Sequence, residues 1–423
     1  MKRRIEADYD VVVCGGGAAG IGAAIGAAKA GARVCLAEKY GFLGGAATTS
    51  QVLAYCGLFQ QGKEPVQAVG GVAQEVVEEL RALGLDGKPY RSETTGNWIV
   101  LLDPEVLKFA FDRLVTRYGI DVVLHTRVAA ATRTGRRLEA VTLAGMDGRR
   151  HVVAEAFVDA SGDANLAMLG GETYRVGDYE GRLQALTLPI RIGGIAPDLR
   201  IDRQRLQEVI ARYNEGGAYP IHRTDGGIII RLPVSRDMWW MTVDLDIKDL
   251  TSESFTRAEM AGRAMAHEYV GLLKREMPGF EDAYLVATGP QVGIRETRHP
   301  QARLELTGAE VAAGRQSKEG IARAAWPVEL HGEAGRPIYT SIGGDGYFHV
   351  PYDAIRAASL DNLWYGGRVI GADPEAYGSI RVMGTAFATG QAAGVAAADS
   401  VDGNQRIDIE SVRSRLVEQG AIL

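Results

Sequence analysis

Gly15, Gly17 and Gly20 stand at GxGxxG spacing between a β-branched run, Tyr9 to Cys14, and an Ala-rich run, AAGIGAAIGAAKA. Few short patterns restrict a fold more. A strand that enters a glycine turn and leaves as a helix predicts the opening of a βαβ unit. Gly31 ends that helix, and ARVCLAE (Ala32 to Glu38) reads as its second strand. Gly15 suits the tight turn, Gly17 lets a pyrophosphate reach the backbone, and Gly20 with Ala24 permits close helix–sheet packing. Ala18 and Ala19 open the helix, whose free N–H groups and partial positive charge favour phosphate. Glu38 follows Gly20 by 18 residues. A carboxylate there accepts ribose hydroxyls and repels a 2′-phosphate, so the segment predicts a dinucleotide site with Lys39 beside it.

A nicotinamide dinucleotide and FAD can share this half-site. The next segment, KYGFLGGAATTS, bears on the choice. Gly44, Gly45, Ala46 and Thr48, with Thr49 and Ser50, make a second flexible loop rich in hydroxyls, suited to a longer pyrophosphate and ribityl chain. FVDASGDANLA supplies Ser161, Gly162 and Asp163, where a carboxylate can meet a cofactor hydroxyl or cap the next helix. Near the C-terminus, NLWYGGR leads through Gly367 and Arg368 to Gly378, Ser379, Arg381 and Thr385, then into a helix from about Met383 to Ala398. Glycines 384, 390 and 394 would let that helix lie against a planar ring or another backbone.

Glycine is abundant throughout, 54 of 423 residues, against about 7% in average proteins. No repeat explains the surplus, so backbone geometry must. The rest of the composition is ordinary: 47 basic and 53 acidic side chains give a net charge of −6. That balance offers nothing to nucleic acid or an anionic membrane. Cys14, Cys35 and Cys56 form no CxxC and no zinc pattern, so no metal is expected and a reducing compartment fits. No run of 18 apolar residues is present, and Glu6, Asp8 and Asp10 interrupt any leader, so a cytoplasmic protein is expected.

Across the chain, helices are predicted over 66–83, 104–118 (capped by Asp103, with Pro104 at its first position) and 256–277. Strands DVVLH, RVAAATR, LEAVTLA and HVVAEAFVDA follow one another between 121 and 160. The texture changes in the middle. The expected fold is α/β, a Rossmann-type three-layer nucleotide-binding fold interrupted by an inserted α+β domain. The divisions are 1–171, an inserted substrate domain at 172–345, and a closing part at 346–423.

VVVCGGGAAGIGAA, CLAEKYGFLGG, VDASGD, GIRETR and DNLWYGGRVIGADPEAYGSIRVMGTAFATGQAAG together carry a family resemblance. The chain resembles FAD-dependent oxidoreductases of the glutathione-reductase-like flavoprotein superfamily, with fumarate-reductase-like and ketosteroid-dehydrogenase-like flavoproteins more distant. The resemblance implies FAD as cofactor. Adenosine would lie by Gly15, Gly17, Gly20 and Glu38, adenine by the backbone at Arg127 and Val128, and the isoalloxazine near Gly44, Gly45 and the closing motif.

The substrate side is less marked. In QVGIRETRHPQ, read as a strand, period-two spacing puts Arg295, Thr297 and His299 on one face and Glu296 and Arg298 on the other. Arg295 or Arg298 could hold a carboxylate bidentately, and Arg381 is a third candidate cation. His331 and His349 are candidate proton carriers, with Tyr347, Tyr352 and Tyr377 weaker ones. Cys56 could approach the ring as a thiol nucleophile or a flavin thioether. Trp239 and Trp240, adjacent in a strand, should face opposite ways. Without CxxC or a second GxGxxG, neither disulfide reduction nor a dedicated NAD(P)H domain is expected. The reading is hydride transfer between flavin and a small polar substrate, a carboxylate first, with an external electron donor or acceptor and a possible homo-oligomer. A flavin monooxygenase or oxidase, and a non-catalytic flavin- or dinucleotide-binding redox sensor, are the alternatives.

Overall fold

The computed structural model describes residues 7–332, 334–401 and 408–423. Its first strand, β1 (Tyr9–Cys14), is followed by helix α1 (Ala18–Lys29) and strand β2 (Val34–Ala37), and the two strands pair in parallel. Valines 11, 12 and 13 are fully buried, as expected of a parallel strand covered on both faces. The sheet grows in parallel from Asp121–Val123 through β2 and β1 to Gly148–Asp159 and Leu363–Tyr365. The last of these comes from the far end of the chain, so the nucleotide-binding fold closes only after a long excursion.

Gly148–Asp159 serves two purposes. Its second half lies between β1 and Leu363–Tyr365, while its first half pairs antiparallel with Arg137–Gly145, which in turn pairs with Arg127–Thr134. A parallel sheet, an antiparallel meander and packed helices give the layered α/β arrangement the strand pattern predicts.

Helix α1 packs along the helix Met383–Val401. A Cβ on Gly390 would stand 2.1 Å from the Ala19 carbonyl oxygen, and one on Gly394 would stand 2.0 Å from that of Ala23. These glycines therefore serve contact between two helix backbones, not contact with a ring. Gly384 likewise abuts the Cys56 carbonyl, at 2.4 Å from its would-be Cβ.

The apolar interior forms two main clusters. The larger gathers the nucleotide-binding elements together with residues from Leu306 onward. The second is built between Leu183 and Val292, where a four-stranded antiparallel sheet (Ile228–Arg231, Met238–Met241, Ile190–Gly193, Tyr284–Thr288) packs with the long helix Ser252–Glu276. Trp239 belongs to the first cluster and Trp240 to the second, so the two rings do face opposite ways.

Three expected elements differ. The helix expected from residue 66 starts at Val72, because Gly71 adopts φ +58° against the Gln391 side chain. The helix expected from 256 begins at Ser252, where the Thr251 hydroxyl accepts the Ser254 N–H. In QVGIRETRHPQ only Arg298–Pro300 is strand, so the alternation drawn over 295–299 does not hold. Glu296 pairs with His299 at 2.8 Å rather than with Arg298, which instead donates to the Asp163 carbonyl. All three cysteines are free. Among the described residues no helix is long and apolar enough to cross a membrane, and no cluster of potential metal ligands occurs.

Candidate functional site

One cavity of about 560 Å³ runs from the turn after β1 to the paired strands Val328–Leu330 and Ile338–Thr340. At its first end, Glu38 follows β2 and is 6% exposed. Its carboxylate accepts the Gly16 N–H at 2.6 Å and the Tyr40 N–H at 3.1 Å, which fixes its direction beside the glycine turn. Lys39, Thr126, Arg127 and Val128 border the same end. Gly15 has φ +101°, and its would-be Cβ meets the Ala160 carbonyl at 2.6 Å, so no other residue fits there.

In the middle, two loops approach each other. Gly45 has φ +54°, and a Cβ on it would lie 2.8 Å from the Gly17 Cα. Both glycines, with Ala18, Ala19, Ala46 and Thr49, border the cavity. Facing them are Ser161, Gly162, Asp163, Gly367 and Arg368. Asp163 accepts from Arg368 and from the Thr297 hydroxyl, both at 3.2 Å, and its side chain caps no helix. The capping role belongs to Asp159, fully buried, which accepts the Ser161 hydroxyl at 2.6 Å and the Ala167 N–H at 2.9 Å. The sequence reading passed over Asp159, although a carboxylate ending an apolar strand before Ser-Gly was the signal.

The second end is bordered by Arg295, Trp326, Glu329, His331, Tyr339 and Arg381. Ile228, Trp239, Met241 and Ile99 supply its apolar wall. Strands Val328–Leu330 and Ile338–Thr340 form a hairpin in which Glu329 lies opposite Tyr339. Glu329 is the hub. Its Oε1 accepts from Tyr339 at 2.8 Å and meets His331 Nε2 at 3.1 Å, while Oε2 accepts from Trp326 at 2.9 Å. Arg381 stands 3.7 Å from Oε2 and donates to the Glu329 carbonyl at 3.0 Å. Burial alone would raise the Glu329 carboxyl, but His331, Arg381 and Trp326 outweigh it and hold it well below the usual range. Burial first, then Arg295, lowers His331 to about 4, so its imidazole is neutral at pH 7.

Arg295 is 6% exposed and already engaged, by the Ala185 carbonyl and by Asp244 at 3.2 Å. Burial lowers its pKa. Cys56 also borders the cavity, but burial pushes its thiol up, so the thiolate a nucleophile requires is disfavoured.

Other predicted residues stand elsewhere. Gly20, whose would-be Cβ falls 1.7 Å from the Gly15 oxygen, serves the turn. Thr48 donates to the Leu43 carbonyl and Gly44 to that of Gly16, so both hold their loop from behind. Gly378 packs on the Glu329 backbone, Ser379 donates to the Trp326 carbonyl, and Thr385 is fully buried. They brace the hairpin and the last helix rather than border the cavity. His349 turns its Nδ1 to Ser317, away from the cavity. Tyr377 donates to the Arg295 carbonyl at 2.6 Å, and Tyr352 accepts from Trp364. Tyr347 lies under Arg323. Arg298 stands over the Tyr174 ring.

A family model described as FAD dependent oxidoreductase matches residues 10–416. No curated protein matches the sequence. Among solved structures, CabE, an aromatic hydroxylase from angucycline biosynthesis, is similar at 13% identity and TM-score 0.50, with 98% of this chain and 66% of that chain covered. BexE, studied for oxidation during BE-7585A biosynthesis, is similar at 14% identity and TM-score 0.51, over 98% and 66%. The chain thus spans about two thirds of the length of these proteins, and the likeness is one of fold.

Proposed function

The chain belongs to the FAD-dependent oxidoreductase family, and from that premise we propose that it oxidises an apolar, ring-bearing substrate with oxygen as the second reactant. The residues present fit the cofactor. Gly17 and Gly45 let the two loops that border the cavity meet, since a Cβ on Gly45 would stand 2.8 Å from the Gly17 Cα, and Glu38 holds a buried carboxylate for ribose hydroxyls. Gly17 ends the turn at the N-terminus of α1, whose dipole favours phosphate. The start of the helix at Met383 borders the other end.

Bound FAD would supply two-electron chemistry and, once reduced by an external electron donor, reactivity toward oxygen. The chain supplies orientation and protons. Trp239, Met241, Ile228 and Ile99 hold apolar substrate surface and exclude water, with the segment expected over 172–345 carrying much of that wall. His331, neutral and anchored on Glu329, receives or returns a proton at its imidazole.

The observation that carries this reading is the state of the arginines. Arg295 spends its charge on Asp244, and Arg381 stands against Glu329, which leaves less to offer a substrate carboxylate. The fold shared with CabE, an aromatic hydroxylase, agrees with the oxygen reading. One observation favours the second reading, hydride transfer with a small carboxylate-bearing substrate: Arg381 Nε is buried without a partner. Turnover under ¹⁸O₂ separates the two. Oxygen insertion puts label in the product. Anaerobic bleaching of the flavin by small carboxylates, with no label incorporated in air, would establish hydride transfer instead.

A further inference from the structure

The cluster on the Glu329 hairpin holds more information than the identity of its members. His331 directs Nε2 at a carboxylate that is ionised, and an ionised carboxylate can only accept. The proton of the neutral imidazole therefore sits on Nε2, and Nδ1 carries the lone pair. That Nδ1 has no partner, and neither has the Nε of Arg381. One is an acceptor, the other a donor. Both side chains border the cavity and both lean on the same carboxylate, His331 at Oε1 and Arg381 at Oε2.

We infer that His331 Nδ1 and Arg381 Nε form a recognition pair for one ring-borne hydroxyl of the substrate, and that Glu329 is the positioning residue that holds both. The hydroxyl donates to Nδ1 and accepts from the Arg381 N–H. Such a pair suits a phenol or enol, whose hydroxyl is a strong hydrogen-bond donor and keeps its proton in the complex.

The charged groups that face His331 are Glu329 on its own hairpin, Arg295 and Arg381. The two arginines resist a second proton on the resting imidazole, which keeps Nδ1 free to accept. Tyr339 and Trp326 donate to Glu329 and restrict its rotation. Three side chains, His331, Tyr339 and Trp326, thus converge on the Glu329 carboxylate, and the Arg381 guanidinium stands 3.7 Å from its Oε2.

This inference deepens the proposed function, since it names a substrate class for the same site, and its test reads the chain without turnover. Ring-¹⁵N-histidine holoprotein gives the tautomer of His331, assigned by the signal missing from His331→Asn. The Nε2–H tautomer, persisting from pH 6 to pH 8, is expected, and Glu329→Gln should redistribute it. An Nδ1–H tautomer, or one unchanged by Glu329→Gln, overturns the positioning role. If Glu329→Gln does not fold, Tyr339→Phe takes its place and should shift the His331 signals, unchanged signals counting against the role.

Equilibrium binding of p-cresol and 4-methylanisole to the oxidised holoprotein, read from the flavin absorbance, tests the pair. p-Cresol should bind about tenfold or more tightly than its methyl ether, because capping the hydroxyl removes its proton. His331→Asn should erase most of that preference. Equal binding, or binding of neither, overturns the hydroxyl assignment. Because none of these readouts requires oxygen, the ¹⁸O₂ experiment can fail while this inference stands, and the reverse.

Discussion

Replacing Gly390 with Ala tests whether the two helices that enclose the nucleotide site are in backbone contact. The added Cβ would stand 2.1 Å from the Ala19 carbonyl oxygen, where an ordinary contact needs 3.4 Å or more. The helices would have to part locally by about 1.3 Å, and overpacking of this kind costs about 1–3 kcal/mol. Ala in place of Gly inside a helix returns up to about 1 kcal/mol, so the net loss should be about 1–2 kcal/mol. The displacement also falls on Ala19 and Gly366, which border the cavity, so FAD retention should drop with stability. Gly271→Ala is the matched control. It lies inside the helix Ser252–Glu276, and its Cβ meets only the end of the flexible Arg275 side chain. There the propensity gain stands nearly alone, and stability should rise by about 0.5–1 kcal/mol. Thermal unfolding by circular dichroism, together with flavin content after gel filtration, reads both variants. A Gly390→Ala protein as stable and as yellow as the parent would refute the close approach.

Gly45→Ala forces a side chain into φ +54° and toward the Gly17 Cα, so fluorescence titration should show FAD affinity reduced about tenfold or more, with circular dichroism unchanged. Arg295→Met leaves Asp244 buried without its cation, and denaturant melts should show a loss of about 3 kcal/mol or more. Lost activity in that variant would thus report folding before it reported substrate binding. His331 titrates near 4 in the folded chain and near 6.5 when unfolded. Its contribution is therefore present above about pH 6.5 and is lost as pH falls toward 4. Melting temperatures measured between pH 7 and pH 4.5 should fall less steeply for His331→Asn. A parallel decline for the two proteins would contradict that assignment.

The βαβ unit that opens the cavity could be read from sequence because its determinants are local. The strand Tyr9–Cys14, the turn, Glu38 and the Asp103 cap, which accepts the Glu105 and Val106 N–H groups, each lie within a few residues of the signal that predicts them. The glycines of the last helix were legible only as a demand for closeness. What Gly390 and Gly394 approach, the backbone of α1, depends on residues some 370 positions away in sequence. The Glu329 hub was missed for a related reason. Glu329 and His331 stand two apart in WPVELH, a spacing that puts them on one side of a strand, so that pair could have been found. Its coupling to Tyr339 depends on the pairing of Val328–Leu330 with Ile338–Thr340, and its coupling to Arg381 on the turn between the helices Pro374–Ile380 and Met383–Val401, and neither leaves a local signal. The pairing of Arg295 left no trace in GIRETR, because its partners, Asp244 and the Ala185 carbonyl, lie far from it along the chain.

The central claim is that one continuous cavity, opened by paired glycine loops and ended by the Glu329 hairpin, holds a whole dinucleotide flavin. It is tested most directly by the cofactor itself, released from purified protein by heat and identified by chromatography and mass spectrometry. The account predicts FAD, one per chain, with its loss in Gly45→Ala. A chain that carried FMN, which lacks the adenosine that the proposal assigns to Glu38, or that took up only NAD, would contradict it.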